Sequence, residues 1–466
     1  MQKVAKWFVD FKWLSGQVNR WFGGQVVRWL GLVFLSTYLP IYLSTCFTGC
    51  RKKDGKLKEG EVELEYMMWG EPDELKTVTE YLKQFEEKFP KIKIKILHTP
   101  QNYDDKLKTM FAAHTPPDVM YVGLETFPSF ATRGVLLDLN PYLERDKQEF
   151  NLNDFYPELM KCFEYDGKYY GIAKDFTPLV LYYNKDMFDK MGVKYPNKKG
   201  GWKWADFLDA AKKLTVDFNN DGKIDQYGFV LETWFQEWAP WVWQNDGKIM
   251  SDDKKKWLLG SPEYIDRNSE AVQFLADLVW KHNVAPRPTV TTDFGTADMF
   301  MTGKVAMCTY GRWMCMQFRH IKDFKWDIAP LPYNKKRAAT LFVVCYGIAN
   351  ESKHKEEAWQ LIKYLMSKEG QELVAEAGHA IPSLKSVAKS DRFLKAKVIT
   401  QPIDAKVYLD SIKYAQPTPT NPYWVEINEL LGREIDWVWQ GKKPAKEVLE
   451  TIQPQIENLL SKYYVK

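Results

Sequence analysis

Hydrophobic and charged residues alternate at the start of the central part of the chain. Val62, Leu64, Tyr66 and Met68 alternate with Glu63, Glu65 and Met67, the period-two pattern of a strand. Leu75, Val78, Leu82, Phe85 and Phe89 then recur every three or four residues, which predicts an amphipathic helix stopped by Pro90. The KIKIKIL run at 91–97 predicts a second strand, 104–114 a second helix, and the DVMYV run after Pro116-Pro117 a third, buried strand. Strand, helix, strand, helix, strand is the alternation of an α/β layer with a mainly parallel sheet. Ligands of such sheets sit beyond the carboxyl ends of the strands, so the loops holding Trp69 and Glu125 border a candidate cleft. Further helices are expected at 204–214, 269–282, 355–366 and 369–377, and no short repeat or low-complexity segment interrupts them.

The apolar stretch at 29–43 is too short to span a membrane comfortably and contains Pro40, so it reads as the core of an export signal. Phe47-Thr48-Gly49-Cys50 follows it and resembles a lipobox, which implies removal of 1–49 and lipidation of Cys50. Cys46 is the competing lipidation position, and a retained amphipathic anchor in the first 28 residues is the alternative to cleavage. Residues 50–60 are polar, basic and contain glycine, as suits a flexible tether beside anionic headgroups.

Length and composition narrow the rest. At 466 residues the chain exceeds what one core usually supports, so two lobes are expected. The 65 Lys and Arg against 61 Asp and Glu leave a formal charge of +4, concentrated near the N-terminus, which argues against a nucleic-acid partner. Six Cys and six His show no CxxC, HxH or HExxH spacing, which argues against zinc. Aromatic residues make up 15% of the chain, with 19 Trp, more than core filling ordinarily needs.

Several motifs, taken in order, carry a family resemblance. They are Trp69-Gly70; Pro117-Asp118-Val119 with 134–139; Tyr170-Gly171-Ile172 through 181–186; Trp243-Gln244-Asn245-Asp246-Gly247; 303–307 with Gly311-Arg312-Trp313; and 377–383. Together they resemble the family 1 extracellular solute-binding proteins of bacterial ABC sugar transporters, distant relatives of maltose-binding protein. The resemblance implies an α/β, two-lobed periplasmic-binding-protein fold with three inter-lobe crossovers, near 174–177, 328–334 and 378–384, and a ligand cleft closed by hinge motion. The corresponding segments are 61–174 and 332–378 for the first lobe, and 175–331 and 379–466 for the second. Ala338-Ala339-Thr340 departs from the glycine pair that many relatives have there.

A pyranose has an apolar C–H face and a hydroxyl edge, so its site needs flat aromatic rings beside planar hydrogen-bonding groups. Trp69, Trp243 and Trp313 stand where the resemblance implies cleft-facing residues, with core packing as the alternative for each. Trp234, Trp238 and Trp241 share helical spacing; Trp234 is the one expected at the ligand. Glu125 and Asp175 follow strand ends, where a carboxylate accepts paired hydroxyl hydrogen bonds, and Arg312 is a candidate donor. The surface or inter-lobe ion pair is their alternative role.

The run 217–225 matches the opening of a calcium loop, with Asp217, Asn219, Asp221, Asp225 and the Lys223 carbonyl as oxygen ligands, but Gly228 stands where the twelfth-position Glu belongs. A structural calcium ion or a polar Asx-type turn both fit. Cys308 and Cys315 are read as free thiols, with a disulfide as the alternative. The expectation is therefore a lipid-anchored, monomeric, non-enzymatic subunit at the outer face of the cytoplasmic membrane. It would bind a neutral sugar, best an oligosaccharide, and pass it to permease subunits. A tethered glycoside hydrolase or lyase, or the same fold with another solute, is the competing function.

Overall fold

The alternating run at 62–68 forms β1 (Val62–Met68), in which Leu64, Tyr66, Met67 and Met68 are fully buried because both faces of the sheet are covered. In this computed structural model residues 57–464 are described, apart from 400 and 402. The lipidation candidates Cys46 and Cys50 and the signal-like stretch lie outside the described residues. Residues from Glu61 onward form one compact unit.

Strand β1 pairs in parallel with β2 (Ile92–His98) and β3 (Val119–Gly123). The chain then runs through β4 (Ile172–Pro178) straight into β5 (Val180–Asn184), which belongs to a different sheet. That second sheet is completed by β6 (Met307–Tyr310) and β7 (Trp326–Ala329), both antiparallel to β5. The long β8 (Ala339–Ile348) returns to the first sheet, followed by the short β9 (Ile381–Pro382) and β10 (Ala415–Pro417). The first sheet has the order β9-β4-β8-β3-β1-β2, with β10 on β8. It is parallel only across β2-β1-β3 and β8-β10. Strand β8 enters from the other lobe and runs antiparallel to both β3 and β4.

The helices follow from the same reading. Helix α1 (Pro72–Lys88) starts on a proline with Asp73 and Glu74 in its first turn and Lys88 in its last, matching the helix dipole; it buries Val78, Tyr81, Leu82 and Phe85. Helix α2 (Tyr103–Ala112) lies between β2 and β3. In the second lobe α3 (Trp204–Lys213), α4 (Phe235–Gln244) and α5 (Ile265–Trp280) build a core with many of the chain's tryptophans. A short α6 (Cys315–Phe318) follows β6. Helices α7 (Lys355–Leu365) and α8 (Lys368–Ala377) cover the first sheet, and α9 (Trp424–Trp439) and α10 (Ala445–Tyr464) join the second-lobe core.

The two sheets define two lobes and three passages between them. The first passage is Leu179, between β4 and β5, and the second spans 330–338. The third was expected near 378–384; strands on both sides of 383–414 pair with the first sheet, and the chain last leaves that sheet at 418–423. Gly378, at φ 80°, is the left-handed cap of α8, and Ile381 and Pro382 then pair with β4. Between β9 and β10 the chain touches both lobes, with the Tyr408 hydroxyl 2.7 Å from that of Tyr182 on β5 and Phe393 against Arg312, before β10 pairs with β8. Among the described residues no helix is long and apolar enough to cross a membrane.

Candidate functional site

Trp69 is the first residue beyond β1. Tyr103 and Tyr121 meet its ring edge-on, at centroid separations of 4.8 and 5.2 Å. The Tyr103 hydroxyl donates to the carbonyls of Met67 and Tyr121, which fixes the platform supporting the indole. From the other lobe, Trp313 sits in the single 3-10 turn Arg312–Met314 that follows β6. Its ring folds back over Gly311, where any Cβ would lie 1.9 Å from Cζ3, so glycine is required by close approach alone. Phe342 of β8 stands at right angles to Trp313 with centroids 4.8 Å apart.

These rings wall a cavity of about 440 Å³, shared with Glu74, Tyr103, Asp104, Glu125, Lys174, Asp175 and His379. A neighbouring cavity of about 350 Å³ shares Trp69, Glu74, Pro100, Trp313 and His379. A larger cavity, about 730 Å³, lies among α1, α7, α8 and the 149–155 segment of the first lobe. The cleft is the stronger candidate site because its walls come from both lobes.

The polar side of the cleft depends on an irregularity in β4. Val344 pairs with Asp175 but Cys345 pairs with Ala173, leaving Lys174 as an extra residue in a bulge. Neighbouring strand residues normally point to opposite faces. Here Lys174 and Asp175 both reach the cleft and hydrogen-bond each other. Lys174 Nζ also lies 3.8 Å from Glu74 Oε1 and 4.5 Å above the Tyr121 ring. His379 Nε2 is 3.5 Å from Asp175 Oδ2. Burial opposes ionisation of Asp175, but Lys174 and then His379 outweigh it and hold the carboxyl below its ordinary value. Asp104 goes the other way: burial, then the charge of Glu125, pushes it up to about 6. Glu125 Oε1 accepts from Gln236 Nε2 at 2.7 Å, a bond that joins the first lobe to α4 of the second.

Of the sequence candidates, Trp69, Glu125, Asp175 and Trp313 line this cavity. Trp234 is 38% exposed at the start of α4 and leans on Phe342 at 5.5 Å, beside the cleft cavity. Trp243 belongs instead to the second-lobe core: it is 6% exposed on a helix buried on every side. Arg312 is also outside the cleft, 1% exposed, with its guanidinium between the rings of Phe393 and Tyr408. Its backbone N–H donates to Thr177 Oγ1, so it anchors the turn that presents Trp313. Phe342, Lys174, Asp104, Glu74 and His379 were not singled out from sequence. Phe342 sits in an apolar run that reads as core, and a bulge leaves no local signal.

In the 217–225 loop the oxygens of Asp217, Asn219, Asp221 and Asp225 accept hydrogen bonds from the backbone N–H groups of Phe218, Asp221, Gly222 and Lys223. This is a closed Asx-type network. Among the described residues no three His, Cys, Asp or Glu side chains converge on a common cation position. Cys162, Cys308, Cys315 and Cys345 are free thiols.

Comparison with known proteins agrees with this architecture. A galactooligosaccharide-binding protein of Bacillus subtilis is 23% identical over 421 residues, covering 87% of this chain and 93% of the relative. An ABC substrate-binding protein from Listeria monocytogenes, solved in complex with cycloalternan, superposes with a TM-score of 0.77 at 29% identity, over 86% of this chain and 98% of the other. An ABC transporter solute-binding protein from Thermotoga lettingae, bound with α-D-tagatose, gives a TM-score of 0.73 at 25% identity, over 85% and 99% of the two chains. The model for the bacterial extracellular solute-binding proteins matches residues 69–372, and with its two lobes, three passages and walled cleft the chain belongs to that family.

Proposed function

We propose that this protein is the substrate-binding subunit of an ABC importer that captures a neutral oligosaccharide in the inter-lobe cleft and delivers it to a membrane permease. The observation that carries the reading is the pairing of Trp69 from one lobe with Trp313 from the other around a cavity edged by carboxylates. Indoles cover the C–H faces of a sugar ring, and carboxylates accept hydrogen bonds from adjacent hydroxyls. Glu74, Asp104, Glu125 and Asp175 against Lys174 make the cleft acidic, which disfavours uronates and other anionic solutes. The saccharides named for the Bacillus and Listeria relatives point the same way. Binding rather than turnover is the function, and closure of the lobes about Leu179, 330–338 and 418–423 is the motion that encloses the ligand. Lipidation at Cys50 would hold the subunit at the outer face of the membrane; substitution Cys50→Ser should release it into the medium.

A thermal-shift screen over mono- and oligosaccharides tests the reading, because a ligand selective for the folded state raises the midpoint by mass action. A neutral oligosaccharide should raise it without being consumed. Steady product release would make the protein an enzyme, and a panel with no shift would remove the sugar reading.

A further inference from the structure

The Trp313 ring takes its direction from one peptide unit, Gly311–Arg312, because it lies folded against Gly311 with no room for a Cβ. Both polar atoms of that unit are held by side chains. Its N–H donates to Thr177 Oγ1 on β4 at 3.0 Å, and its carbonyl accepts from the Tyr182 hydroxyl on β5 at 2.9 Å. The two anchoring strands flank the first passage, one in each sheet.

The Tyr182 anchor is itself held from behind. The Tyr408 hydroxyl, on the short helix Lys406–Ser411, is 2.7 Å from that of Tyr182, and Cys315 Sγ lies 3.3 Å from Tyr408 Oη and 3.5 Å from Tyr182 Oη. Proton counting gives this chain a direction. A carbonyl only accepts, so the one phenolic proton of Tyr182 goes to Gly311, and the bond between the two phenols is then donated by Tyr408. With its own proton committed, Tyr408 accepts from the Cys315 thiol. All three side chains are fully buried, so each bond polarises the next in a medium of low dielectric. Burial also keeps both phenols protonated, pushing each well above its ordinary value. Tyr408 meets the same turn a second time: the Arg312 guanidinium lies 5.3 Å over its ring and 4.3 Å over that of Phe393. Arg312 Nε and Nη1 have no hydrogen-bond partner among the described residues, so the two ring faces hold the buried cation. A phenylalanine at 408 would fill the same volume and offer the same face. What the hydroxyl adds is the chain that ends on Gly311.

We infer that Tyr408 is a positioning residue for ligand binding: acting through Tyr182, it fixes the Gly311–Arg312 peptide and with it the angle at which Trp313 faces the cleft. The consequence for binding rests on the sugar-binding reading, whereas the coupling of Tyr408 to the ring rests on geometry alone. Tyr408 is fully buried and is not part of the cavity wall, so its effect on a ligand passes through Trp313. Loss of its hydroxyl removes the donor that orients Tyr182. The Tyr182 proton is then free to turn toward Cys315 Sγ, 3.5 Å away, and the Gly311 carbonyl loses its fixed anchor.

The test reads the ring and the ligand separately. The full chain is labelled with fluorotryptophan, and the Trp313 and Trp69 lines of its fluorine NMR spectrum are assigned with Trp313→Phe and Trp69→Phe. Without ligand, Tyr408→Phe and Tyr182→Phe should each move or broaden the Trp313 line and leave the Trp69 line in place. Titration calorimetry with maltooligosaccharides, galactooligosaccharides and arabinooligosaccharides then measures binding. For whichever sugar binds, Tyr408→Phe should weaken affinity by about fivefold, the scale of one buried hydrogen bond. In the Trp313→Ala background the same substitution should change affinity by less than about twofold, because an effect carried by the ring disappears with it. Melting curves show which variants fold; Tyr182→Phe, which removes the anchor on Gly311 itself, carries the test if Tyr408→Phe folds poorly. A Trp313 line that stays in place in the folded variants makes Tyr408 a packing residue and overturns the inference with sugar binding intact. A fivefold loss that persists in Trp313→Ala overturns it equally. A moved Trp313 line in a chain that binds none of the sugars overturns the sugar reading and supports the positioning of the ring by Tyr408.

Discussion

Trp313→Ala separates a binding role from a packing role most cleanly. The indole borders both cleft cavities, so truncation merges spaces of about 440 and 350 Å³ that already open to solvent. Little cavity cost follows, because water fills the gap, and the main intramolecular loss is the edge contact with Phe342 at 4.8 Å, worth about 0.5–1.5 kcal/mol. The loss of a desolvated aromatic platform under a bound ligand is larger, about 1–3 kcal/mol, or roughly 5- to 150-fold in Kd. Trp243→Ala is the control, since its ring is 6% exposed in the second-lobe core. It should cost about 3–5 kcal/mol of stability, as buried Trp truncations do, with unchanged affinity in the fraction that folds. Titration calorimetry and thermal melting on both variants give the two readouts. Unchanged affinity in Trp313→Ala with a large fall in melting temperature would refute the assignment of that ring to the cleft.

Three further outcomes follow from named groups. Glu237 is 2% exposed on α4, with Oε2 accepting from Thr309 and Oε1 unpartnered; burial raises its pKa well above the ordinary value, outweighing the lowering effect of the Thr309 hydrogen bond, and the charge of Glu232 adds a smaller push upward. Its contribution to stability is whole below the unfolded value and declines by about 1.4 kcal/mol per pH unit as the pH climbs from there toward the folded one. Denaturant unfolding between pH 5 and 8 should show that slope in wild type and a flatter profile in Glu237→Gln; parallel profiles would contradict it. Asp73 of α1 accepts from Arg319 at 2.7 Å and lies 3.2 Å from His320, both just beyond α6 of the other lobe. Burial raises its pKa, but His320 and Arg319 outweigh it and the net shift is downward, so the bridge persists until the pH falls through that lowered value. Because the pair is partly exposed, Asp73→Asn should weaken ligand binding by no more than about fivefold, and less at high salt, as expected of 0.2–1 kcal/mol; a salt-independent loss would exclude an electrostatic latch. Melting curves in chelator and in excess calcium decide the 217–225 loop: a calcium-dependent rise would establish a cation there, and coinciding curves would leave it a polar turn.

Much of the first lobe was legible because its elements are local. The period-two run of β1 and the three-and-four spacing of α1 each report a buried face without reference to distant residues. Expected helices at 204–214, 355–366 and 369–377 coincide with α3, α7 and α8 within a residue or so. What escaped depends on long-range pairing. The direction of β8 is set by the lobe it arrives from, and the third passage by which strand Ile381 joins. Trp69 and Trp243 are indistinguishable as letters, yet one follows an open strand end and the other points into a helical core. The bulge that turns Lys174 toward the cleft exists only against β8, about 170 residues away along the chain.

The most direct test is titration calorimetry of the protein with the oligosaccharide that stabilises it most, beside the Trp69→Ala/Trp313→Ala double variant. One saturable site per chain is expected, with affinity at least about a hundredfold weaker in the double variant and the fold retained. Equal affinity in the two proteins would contradict it by placing the ligand outside the cleft.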